Sequence, residues 1–438
     1  MAPALSAVQE AEIVDLAHDG RGVARIDGKA VFIDGALPGE RVRLRIYKRR
    51  RQMDEAGLIE VLSASADRVV PRCRHFGVCG GCSLQHLSPP AQLAAKQRQL
   101  LENLQRIGNV QPVRVLEPLR GPAWGYRRRA RLGIKYVHKK GRVLAGFRER
   151  EKPYIADIGR CEILPAMLAQ LPQELAALTE TLEIREKLPQ VEVAAGDSAT
   201  ALVFRVLEAP GTADLQRIAA FGEKSGVQIF LQPGGLSTVR PLRDDYPPLT
   251  YAVDEGRVVL EFGPVDFIQV NREVNASMVG AAMDLLQPQV EDAVLDLFCG
   301  LGNFTLPLAR RARHVVGVEG DAALVAKARA NAARNTLGNA EFAAENLFEP
   351  KSFGAWADAR FELLMLDPPR AGAAELMARM NDWRPRRVVY ISCHPGSLAR
   401  DAGILVSEQG FTLTAAGVMD MFPHTTHVES IAVFEKSR

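Results

Sequence analysis

The sequence predicts three folding units. These are a small all-β barrel at the N-terminal end, a mixed α+β region in the middle, and an open, mostly parallel α/β sheet at the C-terminal end. Three observations carry this. Five short β-prone runs fall within about fifty residues near the start, separated by turn signals. From about Ala293 onward, apolar runs that end in polar residues alternate with helical patterns. Between these regions no single period holds. The expected boundaries are 1–66, 67–262 and 263–438, and a chain of 438 residues is long enough to give each unit its own core.

In the first unit the runs are Ile13-Val14, Val23-Ala24, Val31-Phe32-Ile33, Val42-Arg43-Leu44 and Leu58-Ile59-Glu60-Val61. Asp19-Gly20, Asp27-Gly28 and Pro38-Gly39 mark turns between them. Five short strands suit a barrel of the OB type, a shape often used to hold RNA; an SH3-like barrel for protein contact is the alternative. In the middle unit, Pro89-Pro90 start a helix whose Leu93, Leu100, Leu101 and Leu104 share a face. Strands are expected around Arg131–Tyr136, Leu202–Val206 and Val258–Phe262, and helices near Met167–Thr181 and Ala213–Phe221. In the third unit, Val294–Phe298, His314–Glu319, Leu363–Asp367 and Val388–Ser392 read as strands, and Ala322–Asn335 as an alanine-rich helix. Ligands of such sheets sit at the carboxyl ends of the strands.

Composition is that of a globular protein, with 47% hydrophobic and 24% charged residues. No apolar run is long enough to span a bilayer. The N-terminus lacks a secretory pattern, so a cytoplasmic location is expected. The net charge of +3 conceals two basic stretches. One runs through Arg41, Arg43, Arg45, Lys48, Arg49, Arg50 and Arg51. The other runs through Arg127, Arg128, Arg129, Arg131, Lys135, Lys139, Lys140, Arg142 and Arg148. They are expected to meet nucleic acid; solvated surface strands are the plainer reading.

Asp296-Leu297-Phe298-Cys299-Gly300-Leu301-Gly302-Asn303-Phe304 links a strand to a helix. Its glycines would let a ligand approach the backbone. Glu319, about twenty residues on at the end of the next strand, is placed to take ribose hydroxyls. The third glycine of the dinucleotide fingerprint is missing, since Asn303 and Thr305 continue the helix, which favours S-adenosylmethionine over NAD. Cys299 reads as a small buried turn residue.

Cys393 follows a buried strand and precedes Pro395-Gly396, which exposes it at the sheet edge. A thiolate is the effective nucleophile, and nearby positive charge would lower its pKa. His394 is expected to supply such a field or to position the loop. Asp367 precedes two stiffening prolines. A related motif with an aromatic after the prolines serves enzymes that methylate exocyclic amines, but here Arg370 stands in that place. Glu429 leads into the strand Ser430–Phe434, with His427 as the rival base. The set suits methyl transfer to carbon 5 of uracil. A thiolate adding to C6 makes C5 nucleophilic, and a general base must afterwards remove the C5 proton.

Cys73, Cys79, Cys82 and Cys161 offer four thiolates, whose spacing fits zinc or a [4Fe–4S] cluster equally. In a cytosolic chain, metal binding or catalysis is expected of them rather than disulfides.

Asp367-Pro368-Pro369-Arg370, Ser392-Cys393-His394-Pro395 and His427-Val428-Glu429 resemble the motifs of the RNA uracil-C5 methyltransferases. The resemblance implies a class I (Rossmann-like) α/β methyltransferase domain, with Cys393 as nucleophile and Glu429 as base. Its donor-binding residues become Gln269, Phe298, Asn303, Glu319, Asn346 and Asp367, with Gln269 inside Phe267-Ile268-Gln269-Val270-Asn271. No departure is seen at these positions. His18 through Ala24 and Gly35 through Glu40 resemble the two stretches of a TRAM domain. Phe76 through His86 resembles the iron–sulfur members of the family, which implies a [4Fe–4S] cluster on the four cysteines. With Gly125 through Arg131, the chain is similar to the branch acting on 23S ribosomal RNA. Its implied partner is that RNA, with no membrane and no obligate protein partner. The same chemistry on another or a second ribosomal uridine, or on transfer RNA, is the near alternative. A non-catalytic iron–sulfur RNA-binding protein and an amino-group methyltransferase are the distant ones.

Overall fold

The computed structural model describes residues 7–349 and 353–436; the outermost residues of the first and third units, 1–6 and 437–438, lie outside the described residues. Strands β1 (Gln9–Leu16), β2 (Gly22–Ile26), β3 (Lys29–Asp34), β4 (Arg41–Arg49) and β5 (Met53–Ser63) close into a barrel in the order β1-β2-β3-β5-β4. Alternation sends Ile13, Ala24, Val31, Ile33, Val42, Leu44, Ile46 and Ala56 inward as its core. Glu40 is fully buried at the seam of this barrel. It accepts hydrogen bonds from Leu37 N at 2.8 Å and from Arg68 Nη2 at 2.8 Å, so the charge is both paired and hydrogen-bonded.

After the barrel, helix α1 (Pro89–Arg106) is capped by Ser88 and begins with proline, whose missing N–H costs nothing there. Strand β6 (Arg114–Val115) follows. The middle sheet contains β7 (Arg129–Val137), β8 (Arg142–Gly146), β9 (Gln190–Ala195), β10 (Thr200–Arg205), β11 (Gln228–Gln232) and β12 (Arg240–Pro241), in the order β12-β11-β10-β9-β7-β8. Helices α2 (Leu171–Glu180) and α3 (Thr212–Ser225) pack on it. A hairpin of β13 (Leu249–Val253) and β14 (Val258–Phe262) then leads to helix α4 (Arg272–Leu286).

The C-terminal unit runs β15 (Ala293–Leu297), α5 (Thr305–Ala309), β16 (His314–Glu319), α6 (Ala322–Arg334), β17 (Ala340–Ala344) and β18 (Leu363–Leu366). It continues with α7 (Ala374–Met377), α8 (Met380–Trp383), β19 (Arg387–Ser392), α9 (Pro395–Ser407), β20 (Phe411–Met419) and β21 (Glu429–Lys436). The sheet order is β17-β16-β15-β18-β19-β21-β20-β6. Strands β15 to β19 are parallel, and β21 runs antiparallel to both β19 and β20. Among the described residues no helix is long and apolar enough to cross a membrane.

Residues 67–262 divide between two bodies. Helix α1 packs on α9 and β20, and β6 pairs with β20, so this stretch completes the C-terminal sheet. The second basic run also differs from its sequence reading. Arg128 is buried, donates through Nε to Gln269 O at 2.9 Å and lies over the Tyr251 ring. Arg129 donates to Pro264 O at 2.6 Å. These two arginines join the middle sheet to the C-terminal unit, because buried carbonyls there need donors. Arg131, Lys135, Lys139, Lys140 and Arg142 remain exposed.

Candidate active site

The strand ends bring the predicted residues together. Asp367 follows β18, Cys393 follows β19, Glu319 closes β16, and Glu429 opens β21. One cavity of about 490 Å³ is lined by Gln269, Phe298, Asn303, Glu319, Asn346, Asp367, Cys393 and Glu429 together. That volume lies in the usual range for a small-molecule site.

The turn after β15 explains its glycines. Gly302 has φ +94°, and a Cβ there would lie 3.0 Å from Leu306 Cγ, so the backbone favours glycine and a side chain would press on Leu306. Phe298 itself has φ +65°, a strained value for an aromatic residue. Helix α5 begins only at Thr305 and spans five residues, so Asn303 belongs to the turn rather than to the helix expected there. The Asn303 side chain exchanges hydrogen bonds with Asn275 at 3.1 Å in both directions and accepts one from Tyr251 Oη at 3.3 Å. Glu319 accepts from Gly300 N at 3.1 Å and Asp321 N at 3.2 Å, which ties the turn to the end of β16. Asn346 accepts from Phe348 N and donates to Glu349, shaping the loop after β17. Cys299 is buried, as its sequence context suggests.

Phe348, Tyr251 and Arg370 also line this cavity and were not singled out as donor-site or catalytic residues. The Phe348 ring lies 5.8 Å from that of Phe298, and the two form an apolar wall fit for a flat ring. A phenylalanine two residues after Asn346 was the available signal. The residues present fit S-adenosylmethionine: an acid for a ribose, paired aromatics for a base, and carboxyls for a cationic sulfur.

The electrostatics of Cys393 oppose the sequence expectation. Its thiol is pushed up to about 11 by burial and by Glu429 and Asp367, with Arg370 pulling the other way. Burial also raises Asp367 to about 7. Asp367 is partly exposed as a residue, but its carboxyl sits deep among the cavity walls and accepts from Gln269 Nε2 at 3.5 Å. Glu429 rises to about 8 through burial and Asp367, held down by Lys96 and Arg370. His394 supplies no cationic field. Its Nδ1 accepts from Ser397 N at 3.1 Å, capping α9, and burial lowers its pKa.

A second cavity, of about 580 Å³, meets the first at Cys393 and Arg370. Its walls include Asp15 to Asp19 of the barrel, Lys96 and Asn103 of α1, and His427. Burial lowers the pKa of His427, which lines this second cavity, whereas Glu429 lines the first beside the donor residues.

Cys73, Cys79, Cys82 and Cys161 line one small cavity with Phe76, Phe147 and Ile163. Their thiols lie near enough for burial and mutual repulsion to raise Cys79 to about 11 and Cys82 to about 12. Among the described residues no three His, Cys, Asp or Glu side chains close on a single point as they do around one bound ion.

The chain matches the family described as tRNA (Uracil-5-)-methyltransferase over residues 89–437, and the TRAM domain over residues 6–58. It is 52% identical over 430 residues to a Methylococcus capsulatus protein named 23S rRNA (uracil(1939)-C(5))-methyltransferase RlmD, covering 97% of this chain and 96% of that one. A Xanthomonas oryzae protein of the same name is 53% identical over 428 residues, again covering 97% and 96%. Among solved structures, the Pyrococcus abyssi tRNA (uracil-54, C5)-methyltransferase in complex with S-adenosyl-L-homocysteine superposes with a TM-score of 0.75. The match covers 97% of this chain and 100% of that chain at 24% identity, a shared fold. The C-terminal unit is thus a class I (Rossmann-like) methyltransferase domain, the barrel a TRAM domain, and the unit between them α+β.

Proposed function

The chain belongs to the tRNA (Uracil-5-)-methyltransferase family, and from that premise we propose that it methylates carbon 5 of a uridine in 23S ribosomal RNA to give 5-methyluridine. The relatives' names carry position 1939, which supports the corresponding uridine as the target. The observation that carries the reading is the single cavity holding a thiol, a general base and the donor-binding set.

Bound S-adenosylmethionine supplies an activated methyl group and the positive charge of its sulfur. Glu319 and Asn346 hold its polar edges, Phe298 and Phe348 its base, and Gln269, Asn303 and Asp367 the end nearest the uracil. Cys393 Sγ bonds to C6 of the target ring, which places the electron pair on C5. After methylation the Glu429 carboxylate takes the C5 proton, the C5=C6 bond re-forms, and the thiolate leaves. The target base leaves its stack to reach Cys393, at a cost of roughly a few kcal/mol that RNA binding must offset. The cavity bordered by the barrel and α1 receives the RNA around it, and the units 1–66 and 67–262 grip the phosphates. A ribosomal RNA substrate supports a cytoplasmic location.

Cys73, Cys79, Cys82 and Cys161 hold a [4Fe–4S] cluster in this reading. Four thiols lining one small cavity suit either zinc or a cluster, and the resemblance of Phe76 through His86 to the iron–sulfur members of the family supports the cluster. All four irons are then ligated, so the cluster braces the middle unit.

The test uses RNA carrying 5-fluorouridine at the target, together with S-adenosylmethionine. Fluorine cannot leave as a cation, so the protein should form a denaturation-resistant adduct with this RNA. Cys393→Ala should form none. Adduct formation by both proteins, or by neither, would overturn the covalent route.

A further inference from the structure

The segment Asp420–Val428 joins β20 to β21 and ends at Glu429, the base of the second half-reaction. It is suspended from the barrel, α1, the stretch around Trp124 and Tyr126, and the loop after Cys82. Lys96 Nζ donates to Asp420 Oδ1 at 2.8 Å and to Phe422 O at 2.9 Å. Tyr126 Oη donates to Pro423 O at 3.1 Å. A Cβ on Gly20 of the barrel would lie 2.9 Å from Thr426 Cγ2, so the barrel also touches this segment.

His424 is the centre of the suspension. It is buried and has φ +65°, a region that non-glycine residues occupy only when surrounding contacts hold them there. Its carbonyl accepts from both Ser83 N and Leu84 N, at 2.9 Å each, and these residues directly follow Cys82. Its N–H donates to Gln92 Oε1 at 2.8 Å. The same Gln92 donates through Nε2 to Leu84 O and Leu87 O, at 3.0 and 2.8 Å, so one buried amide bridges the two loops. The imidazole stacks on Trp124, with centroids 3.9 Å apart and planes inclined by 29°. Burial lowers its pKa to about 4, so the ring packs as a neutral group.

We propose that His424 is a positioning residue for Glu429: held by Gln92, Trp124 and the loop after Cys82, it sets the segment that aims the base at C5. The proposal rests on the reading above and deepens it. His424, Gln92 and Trp124 line neither the donor cavity nor the cavity beside the barrel. Their loss therefore spares donor binding, thiolate addition and methylation. It impairs the last step alone, in which the carboxylate takes the C5 proton, the C–H electron pair forms C5=C6, and the C6–S pair returns to Cys393.

The experiment compares His424→Ala, His424→Asn and Trp124→Leu with Glu429→Gln and the parent protein. Each is incubated with ordinary uridine RNA and S-adenosylmethionine, and in parallel with 5-fluorouridine RNA. His424→Ala and Trp124→Leu should accumulate a methylated covalent adduct on ordinary uridine RNA. Their kcat should fall on the order of ten- to a hundredfold, as for a misplaced catalytic group, with KM for RNA and donor unchanged. His424→Asn should rescue in part, because asparagine tolerates the left-handed backbone but cannot stack on Trp124. Parent-like turnover without adduct in both ring-deleting variants, alongside accumulation in Glu429→Gln, overturns the role of His424 alone. Loss of the 5-fluorouridine adduct in those variants also overturns it, since addition would then depend on the segment. Failure of the parent protein to form that adduct instead overturns the covalent reading beneath.

Discussion

Cys393 shares its cavity with two carboxyls, and that neighbourhood dictates how activity and stability vary with pH. The thiol, at about 11, is a poor nucleophile in the free protein, because Glu429 and Asp367 repel the thiolate and burial denies it water. A cationic donor in the same cavity offsets that repulsion, so the nucleophile is unmasked only when there is a methyl group to transfer. Glu429, at about 8, acts as a base only when ionised. Turnover should therefore rise with pH through about 8. Lys96→Met should move that midpoint upward, since the lysine charge favours the carboxylate; a profile flat from pH 6.5 to 9.5 would rule this out. Stability runs the other way. Asp296 is fully buried, accepts from Thr305 Oγ1 at 2.5 Å, and is raised from 3.8 to about 7. Between those values the folded protein binds more protons than the unfolded chain, so the contribution present at low pH is lost as pH rises through about 7. The thermal midpoint of the free protein should fall between pH 5 and 8, and Asp296→Asn should flatten that fall. The identities of Cys393, Glu429 and Asp367 were legible in their local motifs. Their pKa directions were not, because each is set first by burial in the folded cavity, and for Cys393 and Glu429 also by charges far away in sequence.

At the scale of elements, local chemistry declared some pieces and tertiary packing the rest. Strands β16 and β14 coincide with their sequence readings because each is an apolar run stopped by a polar residue or glycine. All five barrel strands occur where the β-prone runs lie, with turn dipeptides at three of the four junctions. Helix α4 went unread although Asn271 caps it, because its buried side chains lie among small residues that blur the period. Strands β9 and β11 are buried on nearly every residue, so alternation offers no signal. The edge pairing of β6 with β20 is a long-range contact that no local pattern announces. The turn after β15 was legible in kind, since its glycines are needed for shape. Gly302→Ala puts a side chain at φ +94° and 3.0 Å from Leu306 Cγ. A cost of about 1–2 kcal/mol is expected at such a backbone position. If it falls on the ligand-ready form of the turn, affinity for S-adenosylhomocysteine should drop on the order of tenfold in calorimetry, with the 5-fluorouridine adduct still forming. Unchanged affinity would mean that the turn does not cradle the donor.

For the whole molecule, the decisive arrangement is that the two halves of the reaction lean on different parts of the chain. The donor cavity is built from β15, β16, β18 and the loops at their ends, with Gln269 reaching in from the segment before α4. The base segment hangs instead on α1, on Trp124 and Tyr126, on Gly20 of the barrel, and on the loop after Cys82. A disturbance of the cysteine-bearing loop should thus reach Glu429 without reaching the donor. Occupancy of the four cysteines supplies the means to impose one. If the proposed cluster is removed by chelation and mild oxidation, Ser83 and Leu84 lose the anchor at Cys82 and with it their hold on the His424 carbonyl. Amide hydrogen exchange should then accelerate across 420–428 and 83–87, while exchange at β15 and β16 and calorimetric affinity for S-adenosylhomocysteine stay near their starting values. A segment centred on a left-handed histidine opens once that hold is gone, because the surrounding contacts are what keep its backbone in that region. Equal acceleration in both regions would show that the cysteines hold the fold as a whole; no acceleration at 420–428 would break the link between the cysteine loop and the base.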